Sequence, residues 1–214
     1  MDIKIPYTPR KHQAFLHDKI SKNRWSVLVC HRRFGKTVCM INHLIRSALL
    51  SKQKNPRYAY ISPTFKQSKS IAWDYMKQFT AKIPYTKFNE TELRVDLPNG
   101  ARITLLGAEN SDGLRGIYLD GCVIDEYANV HSKLFPEIIR PALSDRKGYC
   151  VFIGTPQGMN NNFYELYQHA QGADDWFNYI AKASDTQIVD PEELVKAKEV
   201  MGDKKYQQEF ECDW

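Results

Sequence analysis

Residues 26–49 constrain the fold more than any other stretch of this 214-residue chain. Ser26-Val27-Leu28-Val29-Cys30 is a short apolar run, and His31-Arg32-Arg33-Phe34-Gly35-Lys36-Thr37 follows it directly. From there Val38, Ile41, Ile45, Ala48 and Leu49 recur at the spacing of one helix face. A buried strand, a tight loop and an amphipathic helix in succession open a parallel α/β sheet, because a helix is the usual way to carry the chain back before the next parallel strand. The Gly35-Lys36-Thr37 ending gives the loop a chemistry. In a phosphate-binding loop, backbone N–H groups at the helix start cradle phosphates, the lysine reaches the outer ones, and the threonine hydroxyl holds Mg²⁺. The glycine that usually opens such a loop is missing, and Cys30 stands in its place.

Further strands are expected at Arg57–Ser62, Ala101–Leu106, Cys122–Ile124, Tyr149–Gly154 and Phe177–Ala181, each a β-rich run bounded by turn residues. Their alternation with helical patterns predicts an α/β fold with a mostly parallel sheet, helices on both faces and ligands at the carboxyl ends of the strands. One exception is written in Leu93-Arg94-Val95-Asp96-Leu97, which alternates apolar and polar residues ahead of Asn99-Gly100. It reads as a small antiparallel hairpin added to the sheet. Asp190-Pro191-Glu192-Glu193 carries an N-cap residue and a first-turn proline, so a helix is expected to start there and run toward Phe210.

Size supports one substantial core and a single domain over residues 1–214. No run approaches the roughly 20 apolar residues of a membrane span, and the N-terminus lacks a signal-peptide layout. The five cysteines include no C-x-x-C pair, so neither a disulfide framework nor a zinc site is indicated. Charge is uneven: residues 1–60 hold thirteen Lys/Arg against two Asp/Glu, whereas the remainder is net −6. A basic first quarter suits a polyanionic ligand, and solvated helix surface accounts for it equally well.

A phosphate loop binds nucleotide, but hydrolysis also needs a carboxylate for the metal and a group to activate water. Gly121-Cys122-Val123-Ile124-Asp125-Glu126 supplies both, with Asp125 for the metal and Glu126 as general base. Positive charge aimed at the γ-phosphate assists phosphoryl transfer. Arg32 and Arg33 within the loop and Arg115 in Gly113-Leu114-Arg115-Gly116 are the candidates, the alternative being ordinary surface arginines. Thr155, in Gly154-Thr155-Pro156-Gln157-Gly158, falls at the sheet's carboxyl edge, where it would sense the γ-phosphate or simply belong to a turn. Upstream, Gln13 would pair with an adenine edge, and Tyr7 or Arg10 would lie on the base face. Phe34 is included among the ATP-binding loop residues. No Asn-Lys-x-Asp guanine signature is present.

Together these motifs resemble the ATPase domain of the large terminase subunit of tailed bacteriophages. The resemblance rests on the Arg-x-x-Gly-Lys-Thr form of Arg32–Thr37, on Val123-Ile124-Asp125-Glu126, on Gly154-Thr155-Pro156-Gln157-Gly158, on Gln13, and on the ending Tyr206–Trp214. It covers about Tyr7 to Trp214. It implies a P-loop NTPase fold of the ASCE/RecA-like kind and Mg²⁺-dependent ATP hydrolysis that drives double-stranded DNA into a procapsid in the host cytoplasm. It also implies a portal protein, a small terminase subunit and a homo-oligomeric ring, a pentamer on the procapsid, as partners, the isolated domain being expected as a monomer. Within that family Lys36 and Thr37 would hold phosphates and Mg²⁺, Asp125 the metal, and Glu126 the attacking water. Arg32 would act in cis, Arg115 in trans, and Thr155 as the coupling residue. Residues 190–214 would form a helix and linker toward a nuclease domain, with DNA cleavage outside this chain. A RecA-like half of a helicase and a non-hydrolysing nucleotide-binding scaffold are the competing expectations.

Overall fold

A computed structural model of the chain describes residues 4–214, the side chain of Asp112 apart. Its centre is an eight-stranded sheet formed by β1 (Trp25–Cys30), β2 (Arg57–Ser62), β3 (Lys87–Asn89), β4 (Arg94–Asp96), β5 (Arg102–Gly107), β6 (Gly121–Asp125), β7 (Tyr149–Gly154) and β8 (Trp176–Ala181). The spatial order is β3-β4-β5-β2-β6-β7-β1-β8. From β5 to β8 every pairing is parallel, while β3 and β4 run antiparallel at one edge. The expected hairpin is therefore β4–β5, with Gly100 at φ +82° and Leu97 N–H donating to the Ala101 carbonyl at 2.8 Å. β3 was not foreseen, since Lys87-Phe88-Asn89 is three residues long and has too little alternation to register as a strand.

The strands are hydrophobic on both sides because both faces are covered. Leu28, Cys30, Tyr60, Val123, Val151 and Ile153 point into one apolar cluster, which contains the buried faces of α1 (Lys11–Lys22), α2 (Lys36–Leu50) and α3 (Trp73–Thr80). Their immediate neighbours Val27, Val29, Ile61, Ile124 and Phe152 point into a second, under Leu134–Ile139 and α4 (Asn162–Gln171). This is the period-2 alternation of a strand used twice. Each buried Leu, Ile or Phe contributes roughly 1.5–3 kcal/mol of transfer free energy.

The C-terminal region departs from the expected single helix. Asp190 does cap a helix, its carboxylate accepting from Glu192 N–H at 2.8 Å, but α5 (Pro191–Met201) stops at Gly202. Gly202 has φ +77° and ψ 161°, outside any helical region, and α6 (Asp203–Phe210) restarts in a new direction. α6 then packs on the phosphate loop, as described below.

Candidate active site

Because β1, β6 and β7 are parallel and adjacent in the order β6-β7-β1, their carboxyl ends bring three separate segments to one edge of the sheet. These are the loop 31–35, Asp125-Glu126, and Thr155. The insertion of β7 between the loop strand and the acidic strand is a property of tertiary pairing alone.

The loop turns sharply out of β1. His31 N–H is tied to the Ala181 carbonyl at 3.0 Å and Arg32 N–H to the Glu209 carbonyl at 2.8 Å. The His31 ring is fully buried, and its Nδ1 lies 2.6 Å from the Arg32 carbonyl. Since a carbonyl only accepts, Nδ1 carries the proton and Nε2 accepts from the Thr186 hydroxyl at 2.8 Å. Arg33 and Gly35 have φ of +70° and +88°. At Gly35 a side chain is excluded twice over: by the left-handed backbone and because a Cβ would sit 3.0 Å from Gln13 Nε2. Phe34, expected among the ATP-binding loop residues, has a fully buried side chain packed edge-on against His31. Its ring anchors the loop to the core.

Gln13 does something other than expected. Its Nε2 donates to the Gly35 carbonyl at 3.3 Å, and its Oε1 accepts from Arg10 N–H at 3.0 Å and from the Tyr7 hydroxyl at 3.4 Å. The amide is 4% exposed and is engaged at both ends within the protein, so it holds the loop where an adenine edge was anticipated. Tyr7 is likewise committed: its hydroxyl lies 3.0 Å from His17 Nε2, and its ring meets Phe79 edge-on. His17 Nδ1 in turn lies 3.1 Å from His43 Nδ1. One set of proton positions satisfies the whole chain, running from His43 to His17, Tyr7, Gln13 and the Gly35 carbonyl. Burial pushes the His17 and His43 pKa values down to about 4 and about 3.

On the acidic side, Asp125 is buried at the end of β6, with Oδ1 accepting from Glu126 N–H at 2.9 Å. Its Oδ2 accepts from the Tyr60 hydroxyl, a fully enclosed phenol on neighbouring β2 whose oxygen also interacts with the Thr37 side chain. Tyr60 thus joins the two groups expected to hold a metal, one after the loop and one after β6. Burial pushes the Asp125 carboxyl above the usual range, opposed by Tyr60 and by the Lys36 ammonium. Glu126, at φ +47°, is half-buried and strained. Burial raises its pKa too; Lys36 opposes the shift, Asp125 and Glu209 add to it, and the neighbouring Thr155 backbone lowers it slightly. Thr155 therefore meets Glu126 through its main chain, and its side chain is buried. Lys36 Nζ lies along the loop, donating to the Cys30 carbonyl at 3.2 Å.

Cations line the outer side. Arg32 has a side chain 61% exposed, 4.0 Å from the carboxylate of Glu209, itself bound to Lys205 at 2.9 Å. A groove of about 570 Å³ is lined by Arg10, Arg32 and Arg33 together with Ile188, Met201 and Phe210. Its mixed lining and size suit a nucleoside. Arg115 is exposed and pairs with Glu137 at 3.9 Å. Tyr60 was missed by sequence reasoning because it belongs to no local motif, and Glu209, within the ending Tyr206–Trp214, was given no role there. The Gln207-Gln208-Glu209 run falls in that segment, whose Gln208 Nε2 donates to the Pro156 carbonyl at 2.6 Å.

A lysine and a threonine opening a helix after β1, with an Asp-Glu pair two strands away in the same parallel sheet, define a phosphate-loop nucleoside triphosphatase fold. Residues 29–214 match the family described as terminase large subunit, T4likevirus-type, N-terminal, and the chain belongs to that family. It is 42% identical over 182 residues to the terminase large subunit of Thermus virus P23-45 and 26% identical over 182 residues to that of Thermus phage G20c, in each case across 76% of this chain. The chain spans 36% of the length of each of these relatives. In fold it is similar to the large terminase ATPase domain of Thermus phage P74-26, with a TM-score of 0.81 at 22% identity over 98% of this chain and 95% of that one. A large terminase from a thermophilic bacteriophage, solved in complex with ADP, superposes with a TM-score of 0.81 at 15% identity over 95% of this chain and 53% of that one. No helix among the described residues is long and apolar enough to cross a membrane.

Proposed function

We propose that this chain is the ATP-hydrolysing motor domain of a large terminase subunit, which powers movement of double-stranded DNA into a procapsid. One observation carries the reading: the sheet order gathers Lys36, Thr37, Asp125 and Glu126 at a single edge. Family membership favours a packaging motor over a helicase half or a non-hydrolysing scaffold. The relative solved with ADP supports a nucleotide in the corresponding fold.

In this reading the N–H groups at the start of α2 and the Lys36 ammonium receive the phosphates. The Thr37 hydroxyl and the Asp125 carboxylate, both hard oxygen donors, fit Mg²⁺, which takes one or two protein ligands and completes its shell with phosphate oxygens and water. When bound, it would neutralise charge on the phosphates. Glu126 accepts the proton of the attacking water, its raised pKa making it a better base. Arg32 reaches the γ-phosphate from the same chain once it leaves Glu209, and Arg115 is assigned to a neighbour's nucleotide in a ring, reached by releasing Glu137. Thr155, at the end of β7, reports the state of Glu126 to the Pro156–Gln208 contact and so to α6. The base lies in the groove lined by Arg10, Arg33, Ile188 and Phe210. Gln13 and Tyr7 position the loop, and the Phe34 ring supports it from below. Residues 190–214 lead toward a separate nuclease domain, and the portal protein, small subunit and pentameric ring are the assembly partners on the procapsid in the host cytoplasm.

The test is Mg²⁺-dependent phosphate release from ATP. It is expected to vanish in Lys36→Ala and in Glu126→Ala, and hydrolysis retained by both variants sinks the reading.

A further inference from the structure

The uneven charge of the chain resolves into two separate centres. Arg10, Arg32, Arg33 and Lys36 gather at the carboxyl end of β1 around the phosphate loop. A second group stands at the opposite edge, where the parallel strands β1, β2, β6 and β7 begin. Arg24 immediately precedes β1, Arg57 opens β2, Asp120 precedes β6 and Lys147 lies just ahead of β7. Here a cleft of about 450 Å³ is lined by Lys22, Arg24, Arg46 and Lys147, and Asp120 is its single acid among the described residues.

That acid is already spent. Asp120 accepts from Arg57 N–H at 2.7 Å and pairs with Arg146 at 3.5 Å, outside the cleft. Arg24 donates to the Gly148 and Leu143 carbonyls at 3.1 and 3.4 Å and lies 4.6 Å over the Trp25 ring, and it pairs with no carboxylate among the described residues. Arg46 donates to neutral Ser21 Oγ at 3.3 Å and forms no ion pair among the described residues, although exposed Asp18, which is paired with Lys22, lies within reach of its charge. His43 lines the cleft but stays neutral, burial holding its pKa near 3. The basic surface continues beyond the cleft through Arg57 and Arg146, whose guanidiniums lie 5.8 and 4.3 Å from the Tyr118 ring centroid. A strip of cations around a shallow polar cleft, on the far side of the sheet from the nucleotide edge, suits successive phosphates of a polymer better than one small anion.

We propose that this cleft at the amino ends of β1 and β7 binds the phosphate backbone of duplex DNA, with Arg46, Lys147 and Arg24 as its contacts. The identity of the polyanion rests on the packaging reading, while the site itself rests on the charge geometry. Contacts of this kind read no bases and weaken with salt, as a motor moving along any sequence requires.

The test is anisotropy of a labelled mixed-sequence duplex bound to the protein across a series of KCl concentrations. Arg46→Gln combined with Lys147→Gln, both exposed positions, is expected to weaken binding equally for unrelated sequences and to reduce the slope of log K against log salt by about 2. Binding of a fluorescent ATP analogue should be unchanged in that variant. Lys66→Gln combined with Lys69→Gln, which removes equal charge after β2 at the other edge, should leave the slope near the wild-type value. An unaltered slope in the cleft variant, the larger loss in the Lys66/Lys69 variant, or no duplex binding by the wild type overturns the proposal. If hydrolysis fails its own test while the slopes behave as expected, the motor reading falls and the DNA surface stands.

Discussion

The hydroxyl of Tyr60 on β2 donates to the carboxylate of Asp125 on β6, and both groups are buried. The same oxygen interacts with Thr37, so one phenol links the two oxygens assigned to the metal. With Glu126 N–H on the other carboxylate oxygen, the plane of Asp125 is set before any cation arrives.

Tyr60→Phe keeps the ring and removes that link. An outer hydrogen-bond partner of a metal ligand is typically worth 10–100-fold in metal affinity. The Mg²⁺ concentration giving half-maximal binding of a non-hydrolysable ATP analogue should therefore rise at least about tenfold. Titration of Mg²⁺ into the variant and wild type checks this, and an unchanged midpoint argues against Tyr60 as a positioning residue.

Gln13→Glu tests the loop anchor. The carboxylate retains an acceptor for Arg10 N–H but has no donor for the Gly35 carbonyl. Losing that bond next to the left-handed Gly35 should weaken nucleotide binding, and the buried, mismatched group should cost roughly 1–3 kcal/mol of stability. Thermal melting and analogue binding should fall together. An adenine-reading role without loop anchoring would reduce binding while leaving the melting temperature unaltered.

Glu209→Gln removes a negative charge from beside the phosphate loop while leaving its backbone carbonyl on Arg32 N–H. A unit charge near 4 Å in a water-like medium is worth about 1 kcal/mol, so nucleotide affinity should increase by roughly fivefold. Analogue binding measured at low and high salt checks this, because the gain should shrink as screening increases. Weaker binding would assign Glu209 to the site itself.

Stability should depend on the buried histidine pair. The folded pKa values of His17 and His43, about 4 and about 3, lie below the 6.5 of the unfolded chain. The unfolded state therefore takes up protons first as the pH drops. Stability is fully present above pH 6.5 and is lost as pH falls from there toward 4, at about 1.4 kcal/mol per pH unit for each proton bound only on unfolding. His43→Gln should flatten the decline of melting temperature between pH 6.5 and 4, even if the variant is less stable at pH 8. An equally steep decline would place the acid sensitivity elsewhere.

Much of the site was legible because its chemistry is written in contiguous residues. Gly35-Lys36-Thr37 follows the β1 run by a short loop and Asp125-Glu126 closes the β6 run, so the strand that delivers them and the groups delivered are neighbours in sequence. The Asn99-Gly100 turn was legible for the same reason. Phe34, Gln13 and Tyr7 were identified as part of the nucleotide end, but their side-chain contacts within the protein were not. Their side chains turn inward, and direction follows from what packs against them, which a local pattern does not contain. The break at Gly202 was hidden by helical residues on both sides.

Local patterns in the chain specified a phosphate-loop unit, the strand runs and the acidic pair, since apolar periodicity and loop chemistry depend on near neighbours only. Which strands lie side by side was decided in three dimensions, through hydrogen-bonded pairings between residues far apart in sequence. The order β2-β6-β7-β1 sets Tyr60 against Asp125 and gathers the loop, Glu126 and Thr155 at one edge. The same order brings Arg24, Arg46 and Lys147 together at the other, turning a diffuse excess of charge into a surface.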